Sequence, residues 1–401
     1  MILGCNRWVM CKPADNPTLR RLQQELAALE SQSQLRKLEL ITGVNLSSND
    51  YLGLSNDPRI KQALQTHLRE LDQIASTGSR LLSGNCALWE QTESELAEFV
   101  GSEAALFFGS GYAANVGLLS AVLRPDDIVF SDSSNHASLI DGIRLSRARR
   151  IIVPHLDLNF LEDALRESEG DRCERFIVME SVFSMEGDRA PLHDLAGLAD
   201  RYGASLIVDE AHATGVFGPQ GRGLVAEAGR FPSLLATVHT CGKALAAAGA
   251  FVACSETLKQ YLVNRARTFI FSTALPPFLT AQVRAALRVV VQADAERERL
   301  TRLADYLRRR LRDAGFDVGP SDSQIVPVIL GSNDCALNFA HELARAGFAA
   351  KAIRPPTVPP GTARLRISLT SSLSMETLEE LSESMITARE RMSTAELQPG
   401  R

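Results

Sequence analysis

Two polar residues in the middle of the chain have the types and the order that amine chemistry on an aldehyde cofactor requires. Lys243 ends segment 240–243 (TCGK), and Asp209 precedes it in segment 208–212 (VDEAH). A lysine amine forms a Schiff base with the aldehyde of pyridoxal phosphate. A buried carboxylate keeps the pyridine nitrogen of that cofactor protonated, so that the ring can accept electrons from a carbanion. The pair therefore predicts a pyridoxal 5'-phosphate site.

The residues before Asp209 predict how its side chain is positioned. Segment 204–208 (ASLIV) is a short apolar run after Tyr202 and Gly203, which is typical of a buried strand in a parallel sheet. Asp209 then lies at the carboxyl end of that strand, and open α/β sheets bind their ligands outside those ends. His212 follows closely, and we predict it in the same site. A helix-start or packing role is the alternative for this histidine.

A glycine-rich turn provides a predicted phosphate site. Segment 104–108 (AALFF) indicates a strand, 109–112 (GSGY) a tight turn and 113–119 (AANVGLL) the start of an apolar helix. The N terminus of a helix presents backbone N–H groups and the positive end of its dipole, both of which favour a phosphate. The spacing matches neither the dinucleotide motif G-x-G-x-x-G nor a P-loop, because no G-K-[ST] follows. Nucleotide binding of those two kinds is therefore not predicted.

The composition predicts a soluble globular protein that does not bind nucleic acid. The 401 residues are 45% hydrophobic and 23% charged, with a net charge of −5, which leaves room for one large and one smaller domain. Arginines 308–310 and Arg312 lie on a strongly polar predicted helix that also carries acidic residues. We interpret them as a solvated face and not as a nucleic-acid-binding patch.

The cysteines and the apolar runs predict a cytoplasmic location. The seven cysteines are odd in number and scattered, without a C-x-x-C pair, which favours reduced thiols over a disulfide framework or a metal site. Residues 2–10 are interrupted by Asn6 and Arg7 and lack the apolar core of a signal peptide. No run approaches the ~20 apolar residues of a membrane helix.

Strand-like and helical segments alternate through most of the chain. Apolar runs typical of strands occur at 105–108, 128–130, 150–153, 176–179, 205–208 and 250–254. Helical patterns such as 161–167 and 192–202 lie between them. The alternation predicts an α/β fold with a mostly parallel, doubly wound sheet and right-handed crossovers.

We predict four parts along the chain. Residues 1–45 form an N-terminal helical arm, in which leucines recur at helical spacing at 19, 22, 26 and 29. Residues 46–278 form the large cofactor-binding α/β domain, residues 279–393 a linking helix and a small C-terminal α+β domain, and residues 394–401 a disordered tail. The linking helix is expected to run unbroken over 279–314. Strands at 325–330 and 364–369 and a helix at 375–392 are expected to complete the small domain.

Five segments together resemble one known family. They are 47–54 (SSNDYLGL), 76–84 (STGSRLLSG), 135–138 (NHAS), 182–188 (VFSMEGD) and 209–215 (DEAHATG). In this order they resemble the α-oxoamine synthases, which are pyridoxal phosphate-dependent transferases of fold type I, and the resemblance extends over residues 45–390. Segment 353–366 (IRPPTVPPGTARLR) is similar to one branch of that family. The resemblance to this branch implies a decarboxylative condensation of L-alanine with a pimeloyl thioester, on coenzyme A or acyl carrier protein, in biotin biosynthesis.

The resemblance also implies a role for each site residue. Lys243 would hold the cofactor and later remove the α-proton of the amino acid, Asp209 would pair with the pyridinium, and His136 would stack on the ring. The implied catalytic residues are Lys243, His136, Asp209 and His212. The implied cofactor-binding residues are Ser110, Gly111, Tyr112, His136, Ser184, Asp209, His212, Thr240, Lys243, Ser272 and Thr273. Asn49 would line the substrate site, and Arg364 would clamp the amino-acid carboxylate.

The resemblance further implies a homodimer in which Ser272 and Thr273 reach the phosphate of the neighbouring subunit. Several of the residues have simpler alternatives. Arg364 and Arg366 alternate along one predicted strand, so at most one need be the clamp. Ser184 is in a sequence context where serine often caps a turn. The histidines at 67, 155, 193 and 239 have no motif around them, and we interpret all four as structural.

Two departures from the family pattern leave parts of the function open. Residues 244–249 read ALAAAG where the family has a glycine-rich stretch, so added methyl groups could change the acyl chain that is accepted. The arm before residue 45 is too short for the usual strand pair, and Arg20, Arg21 and Arg36 all remain candidates for binding the pimeloyl carboxylate. The alternative functions are a sibling acyltransferase, such as 2-amino-3-ketobutyrate coenzyme A ligase or an autoinducer-type synthase, and a cofactor-binding regulatory protein without turnover.

Overall fold

The computed structural model describes residues 16–170, 172–229 and 231–392. Its strands, in chain order, are β1 (Val44–Asn45), β2 (Ala104–Phe108), β3 (Ile128–Asp132), β4 (Arg149–Val153), β5 (Arg175–Glu180), β6 (Ser205–Asp209), β7 (Leu234–Thr240), β8 (Ala250–Cys254), β9 (Ile325–Gly331), β10 (Phe348–Ala349), β11 (Lys351–Ile353) and β12 (Ala363–Ser368). The helices are α1 (Pro17–Ser31), α2 (Pro58–Glu70), α3 (Ala87–Val100), α4 (Gly111–Val122), α5 (Ala137–Ser146), α6 (Leu158–Glu167), α7 (Leu192–Tyr202), α8 (Leu224–Ala228), α9 (Glu256–Arg265), α10 (Arg267–Ile270), α11 (Leu279–Val291), α12 (Asp294–Asp313), α13 (Asn333–Arg345) and α14 (Met375–Arg391).

A seven-stranded sheet forms the centre of the larger of two compact units. This unit contains residues 47–327 and 367–382. The strand order is β2-β8-β7-β6-β5-β3-β4, and β8 is antiparallel to both neighbours while the other pairs are parallel. The predicted mostly parallel α/β fold is therefore confirmed. Because β2 and β7 both oppose β8, the carboxyl ends of β2, β7, β6, β5 and β3 lie along one edge of the sheet.

Apolar strands buried on both faces form the core of this sheet. Every residue of β2, β3 and β8 is buried, as expected for strands covered by helices on each side. Leu118 and Leu139, from α4 and α5, pack on Val129 and Ile207 in one cluster. Gly142 allows these helices to approach closely, because a Cβ there would lie 2.9 Å from Leu119 Cβ. The close contact between α4 and α5 fixes the two helix N termini that face the site.

Strand β7 was not predicted, although it directly precedes Lys243. Its sequence contains two threonines and a histidine, which weaken the apolar signal of a central strand. In the fold, the histidine forms hydrogen bonds with one threonine of the strand and with one threonine of a neighbouring loop. His239 is buried, with Nε2 2.7 Å from Thr237 Oγ1 and Nδ1 2.8 Å from Thr214 Oγ1. Burial lowers the pKa of His239 to about 3, so its ring is neutral.

The prediction of one unbroken helix over 279–314 is wrong. The structure has two helices, α11 and α12, separated by Gln292 and Ala293. At this break the buried side chain of Arg297 donates from Nη1 to the carbonyl of Val290 at 2.7 Å, while Nη2 bonds to Asp294 at 2.5 Å. The same carbonyl accepts from the backbone N–H of Ala293 at 3.1 Å, so the guanidinium adds a second hydrogen bond at the end of α11.

The interpretation of arginines 308–310 and Arg312 as a solvated face is wrong for Arg308. Its side chain is buried and donates to the backbone carbonyl of Ser323 and to the carboxylate of Asp305. A buried guanidinium needs such partners because it cannot lose its charge. Arg308 is therefore a packing element of α12 and not part of the exposed polar face.

The second compact unit contains, among the described residues, 16–46, 328–366 and 383–392. In it β1 pairs with β10 in parallel, and β11 pairs with β12 in an antiparallel register that sets Ile353 opposite Arg364. Of the predicted helical arm, residues 1–15 lie outside the described part of the chain; within the described part α1 is helical, and residues 32–43 form no regular element. The tail at 394–401 lies outside the described residues. Across the part of the chain that is described, no helix is both long and apolar enough to cross a bilayer.

Candidate active site

Lys243 and His212 meet above the carboxyl ends of β6 and β7. The Nζ atom of Lys243 lies 2.8 Å from Nε2 of His212. The turn that carries the lysine is closed by two backbone hydrogen bonds of 2.8 Å, from Ala247 to Cys241 and from Ala246 to Lys243. Gly215, with φ +85°, lets the loop after β6 approach this turn, because a Cβ there would lie 2.7 Å from the methyl group of Ala244. The loops of Asp209 and Lys243 are thus packed on each other.

The other ring nitrogen of His212 contacts Tyr51, a residue for which the sequence predicted no role. Nδ1 of His212 lies 2.6 Å from the hydroxyl of Tyr51, and that hydroxyl lies 3.1 Å from Oδ1 of Asn49. The backbone carbonyl of His212 accepts from the side-chain amide of Gln324 at 2.9 Å. Asn49, predicted to line the substrate site, is therefore joined to His212 through Tyr51.

Asp209 is buried and oriented by two donors. Its Oδ2 accepts from Nδ2 of Asn115 at 2.6 Å, and its Oδ1 accepts from the backbone N–H of Ala211 at 2.8 Å. Asn115 lies on α4 and also donates to the hydroxyl of Ser138 at 2.9 Å. These bonds hold the carboxylate in one orientation at the strand end, as the pairing of Asp209 with a cationic ring requires. Asn115 was missed because nothing in its local sequence marks it.

A second acid, Glu180, lies beside Asp209 at the end of β5. The two residues are directly opposite in the β5–β6 register, and Glu180 Oε1 accepts from the backbone N–H of His136 at 2.6 Å. Burial and the nearby negative charge of Asp209 raise the pKa of Glu180 to about 8, so its carboxyl group is mostly protonated at neutral pH. The strand-end rule that identified Asp209 would have identified Glu180 as well.

His136 caps α5 and carries a neutral ring. Its Nδ1 lies 2.8 Å from the hydroxyl of Ser138. Burial lowers the pKa of His136, Asp209 partly opposes that shift and Lys243 adds to it. Because Asp209 and Lys243 both act on His136 and on Glu180, all four groups share one electrostatic environment. The sequence-predicted catalytic residues are therefore brought together by the fold.

The predicted phosphate residues lie at the start of α4 and the end of β7. Ser110 caps the helix, since its hydroxyl accepts from the N–H of Ala113 at 3.1 Å. A Cβ on Gly111 would lie 3.7 Å from Thr240 Oγ1, so the helix N terminus and Thr240 are adjacent. Tyr112 is 46% exposed, and its hydroxyl bonds to Asp141. Its ring meets the ring of His136 edge-on, with 6.4 Å between the centroids.

The remaining predicted site residues are Ser272, Thr273, Ser184 and Arg364. Ser272 and Thr273 are exposed and line a hollow of about 110 Å³ together with Gly109 and Ser110 of the same chain. Ser184 is buried in the turn after β5. Arg364 belongs to the smaller unit, where its Nε donates to the carbonyl of Thr362 at 3.1 Å. Contact of Ser272, Thr273 and Ser184 with the cofactor, and of Arg364 with a carboxylate, stays a prediction.

The alanine-rich segment after Lys243 adopts a conformation that suits glycine. Ala246 has φ +46°, in the left-handed region that disfavours a side chain. Its carbonyl accepts from the side-chain amide of Gln282 at 2.8 Å, which helps to hold the turn. Ala244 is completely buried, so its methyl group fills space next to the lysine.

His155 links two strand-end loops on the same edge of the sheet. Its Nδ1 lies 2.9 Å from Asp132 and its Nε2 lies 3.0 Å from Asp188, the last residue of the predicted segment 182–188. Its ring also meets Phe183 edge-on at 4.5 Å between centroids. Despite burial, the hydrogen bonds and charges of the two carboxylates raise the pKa of His155 from 6.5 to about 10. The imidazolium thus ties the loop of Ser184 to β3.

Replacing His155 is expected to make stability less dependent on pH. Because the folded pKa of about 10 lies above the ordinary value of 6.5, the charged ring stabilises the fold fully below about pH 6.5, and that stability is lost as the pH rises through 10. His155→Ala should lower the free energy of unfolding by about 1.5–3 kcal/mol at pH 6.5, the worth of hydrogen bonds to a charged group, and by clearly less at pH 10.5.

Urea unfolding at both pH values measures this difference. His193→Ala is the matched control, because His193 is exposed and its ring contacts the ring of Phe231, with 5.7 Å between the centroids. If His155→Ala lowers the free energy of unfolding by the same amount at pH 6.5 and at pH 10.5, the result would contradict a charged His155 ring in the folded protein.

The donor set of the site fits pyridoxal phosphate. Lys243 supplies an amine for the aldehyde, and Asp209 supplies an oriented carboxylate for the pyridine nitrogen. The N terminus of α4 beside Thr240 supplies backbone N–H groups for a phosphate. Asn115 Oδ1 and Asn135 Oδ1 are buried in this region without a hydrogen-bond partner among the described residues, which is common where a site completes its contacts with a ligand.

Comparison with known proteins agrees with this geometry. The aminotransferase class I and II family matches residues 41–385. The 8-amino-7-oxononanoate synthase of Geobacter sulfurreducens is 44% identical over 375 residues, which cover 90% of this chain and 95% of that protein. Among solved structures, serine palmitoyltransferase of Sphingomonas wittichii has a TM-score of 0.85 at 29% identity and covers 94% of this chain and 98% of its own.

A second solved structure, the 8-amino-7-oxononanoate synthase of Francisella tularensis, has a TM-score of 0.74 at 29% identity and covers 87% of this chain and 98% of its own. These matches confirm the predicted cofactor and the predicted class, a pyridoxal phosphate-dependent acyltransferase. The chain therefore belongs to the aminotransferase class I and II family and, within it, to the α-oxoamine synthases, with similarity to 8-amino-7-oxononanoate synthase over nine-tenths of its length.

Proposed function

We propose that this chain condenses L-alanine with a pimeloyl thioester, with release of carbon dioxide and the carrier thiol, which is the reaction of an 8-amino-7-oxononanoate synthase in biotin biosynthesis. The observation that carries the proposal is the 44% identity to such a synthase over 90% of the chain. The contact between Lys243 and His212 supports it, because this chemistry needs an amine whose proton can be passed to a neighbour.

Each residue of the site would have a separate role in this reaction. When bound, pyridoxal phosphate supplies an electron sink for the carbanion that forms at the amino-acid α-carbon. Lys243 would bind the cofactor, then take the α-proton on Nζ once the amino acid has displaced it. Asp209, held by Asn115, would keep a positive charge on the facing ring nitrogen. His136, with its neutral ring, would cover one face of the cofactor without adding charge.

The substrate contacts and the assembly are also proposals. Arg364 is suited to the alanine carboxylate because a guanidinium binds a carboxylate through two parallel hydrogen bonds. Asn49 would line the substrate site. We propose a homodimer in which Ser272 and Thr273 serve the partner's phosphate site, since both residues are exposed. We propose a cytoplasmic location, because the five cysteines of the described chain are all free thiols.

A sibling reaction is the second candidate, because serine palmitoyltransferase is one of the two solved structures reported above and has the higher TM-score. Overall fold does not select a substrate, however, because siblings share the same architecture. The identity to 8-amino-7-oxononanoate synthases, 44% in the relative from Geobacter sulfurreducens, is the stronger indication of the branch.

The two candidates differ in the amino acid that they consume. Release of carrier thiol is measured with alanine, glycine or serine as the acceptor, and with pimeloyl-coenzyme A or pimeloyl-acyl carrier protein as the donor. We expect alanine to be used about tenfold or more faster than glycine, the effect of one methyl group in a fitted pocket. A clear preference for glycine or serine with either donor would overturn the proposal in favour of a sibling enzyme.

A further inference from the structure

Two buried acids lie side by side at the carboxyl ends of neighbouring strands. Glu180 ends β5 and Asp209 ends β6, and the parallel register sets them directly opposite each other. Residues that are opposite in neighbouring strands direct their side chains to the same face of the sheet. Glu180 is 3% exposed and Asp209 is 6% exposed. Two carboxyl groups that share a screened site resist ionising together, so the pair is expected to keep one proton.

The hydrogen-bond donors around the two acids favour Asp209 as the charged member. Asp209 accepts from Nδ2 of Asn115 at 2.6 Å and from the backbone N–H of Ala211 at 2.8 Å. Within the described chain, the side chain of Glu180 accepts only from the backbone N–H of His136, at 2.6 Å. Donors stabilise the charged form of a carboxyl group, and Asp209 has more of them. The proton of the pair is therefore assigned to Glu180.

The other charges near Glu180 favour the same assignment. The ionisable groups on the elements next to it are Asp209 at the end of β6, Lys243 in the turn after β7, Glu186 in the turn after β5, His136 at the start of α5 and Asp132 at the end of β3. Burial and the charge of Asp209 raise the pKa of Glu180, Glu186 adds to this rise and Lys243 opposes it. The charge of Asp132 is paired with His155, at 2.9 Å.

We propose that Glu180 is a further positioning residue of the site and that it acts as a neutral carboxylic acid. Its Oε1 accepts the backbone N–H of His136, the residue that caps α5, and so fixes the start of that helix beside the strand end. Its proton leaves the negative charge of the pair on Asp209, where the ring nitrogen of the cofactor needs it. The inference rests on the proposed function only in taking His136 and Asp209 as cofactor-binding residues.

Infrared difference spectroscopy on the full-length apoprotein measures the protonation state directly. A protonated carboxylic acid has a carbonyl stretch that is separate from the bands of carboxylates and amides. We expect this band in the spectrum of the parent minus that of Glu180→Gln at pH 6.5, and we expect it to disappear as the pH rises through about 8. A carboxylate band in its place at pH 6.5 would overturn the inference without any cofactor present.

The thermal midpoint of the apoprotein gives a second test with a definite sign. In the unfolded chain Glu180 ionises near its ordinary pKa of 4.5, whereas in the folded chain it stays neutral up to about pH 8. Because the fold opposes ionisation, the contribution of Glu180 to stability falls between these two pH values and is constant above them. Glu180→Gln cannot ionise, so its midpoint should rise relative to the parent between pH 5.5 and 8.

Glu174→Gln is the matched control for the thermal test. Glu174 is an exposed acid immediately before β5, at the opposite end of the same strand. The difference between its midpoint and that of the parent should not vary between pH 5.5 and 8. If the difference between Glu180→Gln and the parent is equally constant over this range, Glu180 is not a neutral acid in the fold and the inference is refuted.

The affinity for pyridoxal phosphate separates the hydrogen-bond acceptor from the charge. Glu180→Gln keeps both an oxygen acceptor for the N–H of His136 and a neutral side chain. We therefore expect its Kd at pH 7 to lie within about threefold of the parent value, less than one hydrogen bond is worth. Glu180→Leu removes the acceptor and should raise the Kd about tenfold, the worth of one ordinary hydrogen bond.

Two outcomes of the affinity measurement would contradict the proposal. A tenfold loss in Glu180→Gln would show that the position requires a charged carboxylate, and a parent Kd in Glu180→Leu would show that the acceptor has no role in positioning. If Glu180→Leu does not fold, the infrared and thermal measurements on Glu180→Gln decide the question. No amino acid or thioester is present in these experiments, so a wrong substrate assignment would leave every result unaltered.

Discussion

Lys243→Ala is expected to abolish covalent attachment of pyridoxal phosphate and to lower the rate of condensation by about four powers of ten. The lysine has two roles, as the amine that binds the aldehyde and as the base that takes the α-proton. Loss of a general base alone costs 10²–10⁴-fold, so loss of both roles is expected to reach the upper end of that range. The measurement is thiol release with alanine, together with the absorbance of the purified protein.

The variant should remain folded, because Lys243 is only partly buried and its turn is closed by backbone hydrogen bonds. Lys61→Ala is the control, since Lys61 is an exposed lysine on α2, outside the site. The control should have the parent rate and the parent absorbance. Turnover by Lys243→Ala within tenfold of the parent rate would show that another group is the base.

Asp209→Ala is expected to lower the rate of condensation by roughly two to four powers of ten. Removing one partner of a buried ion pair costs about 3–5 kcal/mol, and each 1.4 kcal/mol that is lost from the transition state is tenfold in rate. Without the carboxylate the pyridine nitrogen would lose its proton, and the cofactor would accept electrons less well. Thiol release with alanine measures the effect, at cofactor concentrations that saturate the variant.

Two further variants separate the charge of Asp209 from its orientation. Asn115→Leu removes the donor that lies 2.6 Å from Oδ2, and we expect a smaller loss, about tenfold to a hundredfold, the worth of a hydrogen bond to a charged group. Asp126→Asn changes an exposed acid elsewhere and should have no effect. An Asp209→Ala protein that condenses alanine at nearly the parent rate would contradict the pairing of the carboxylate with the cofactor.

The parts of the site that were predictable are those whose signal is local. Asp209 ends a continuous apolar strand, so the carboxyl-end rule for parallel sheets placed it at the ligand edge. Lys243 was identified by its order after Asp209, and the strand that brings it to the same edge, β7, was not predicted. The same rule applies to Glu180, which ends β5 beside Asp209, and it was not used there.

Tyr51 and Asn115 could not be assigned in this way because their partners are distant in the chain. Tyr51 bonds to a histidine 161 positions later, and Asn115 bonds to an acid 94 positions later. Neither residue has a chemical signal of its own, since tyrosine and asparagine are common in cores and at turns. Only the tertiary fold shows that their polar groups point at His212 and Asp209.

The break between α11 and α12 was hidden for a similar reason. Helical periodicity continues through residues 292–293, and no proline or glycine marks the end of the first helix. The break is accompanied by a hydrogen bond from the side chain of Arg297 to the carbonyl of Val290, which a count of apolar residues does not contain. Strand β7 was missed because Thr237 and His239 satisfy each other inside the sheet, which makes polar residues acceptable in a central strand.

Reduction of the purified holoprotein with borohydride, followed by peptide mass spectrometry, tests the central claim most directly. The reagent converts an imine between a lysine and pyridoxal phosphate into a stable secondary amine. We expect one phosphopyridoxyl group per chain, on the peptide that contains Lys243, and none after prior removal of the cofactor. A label on a different lysine, or no label in a protein that binds the cofactor, would contradict the assignment of Lys243 and the site built around it.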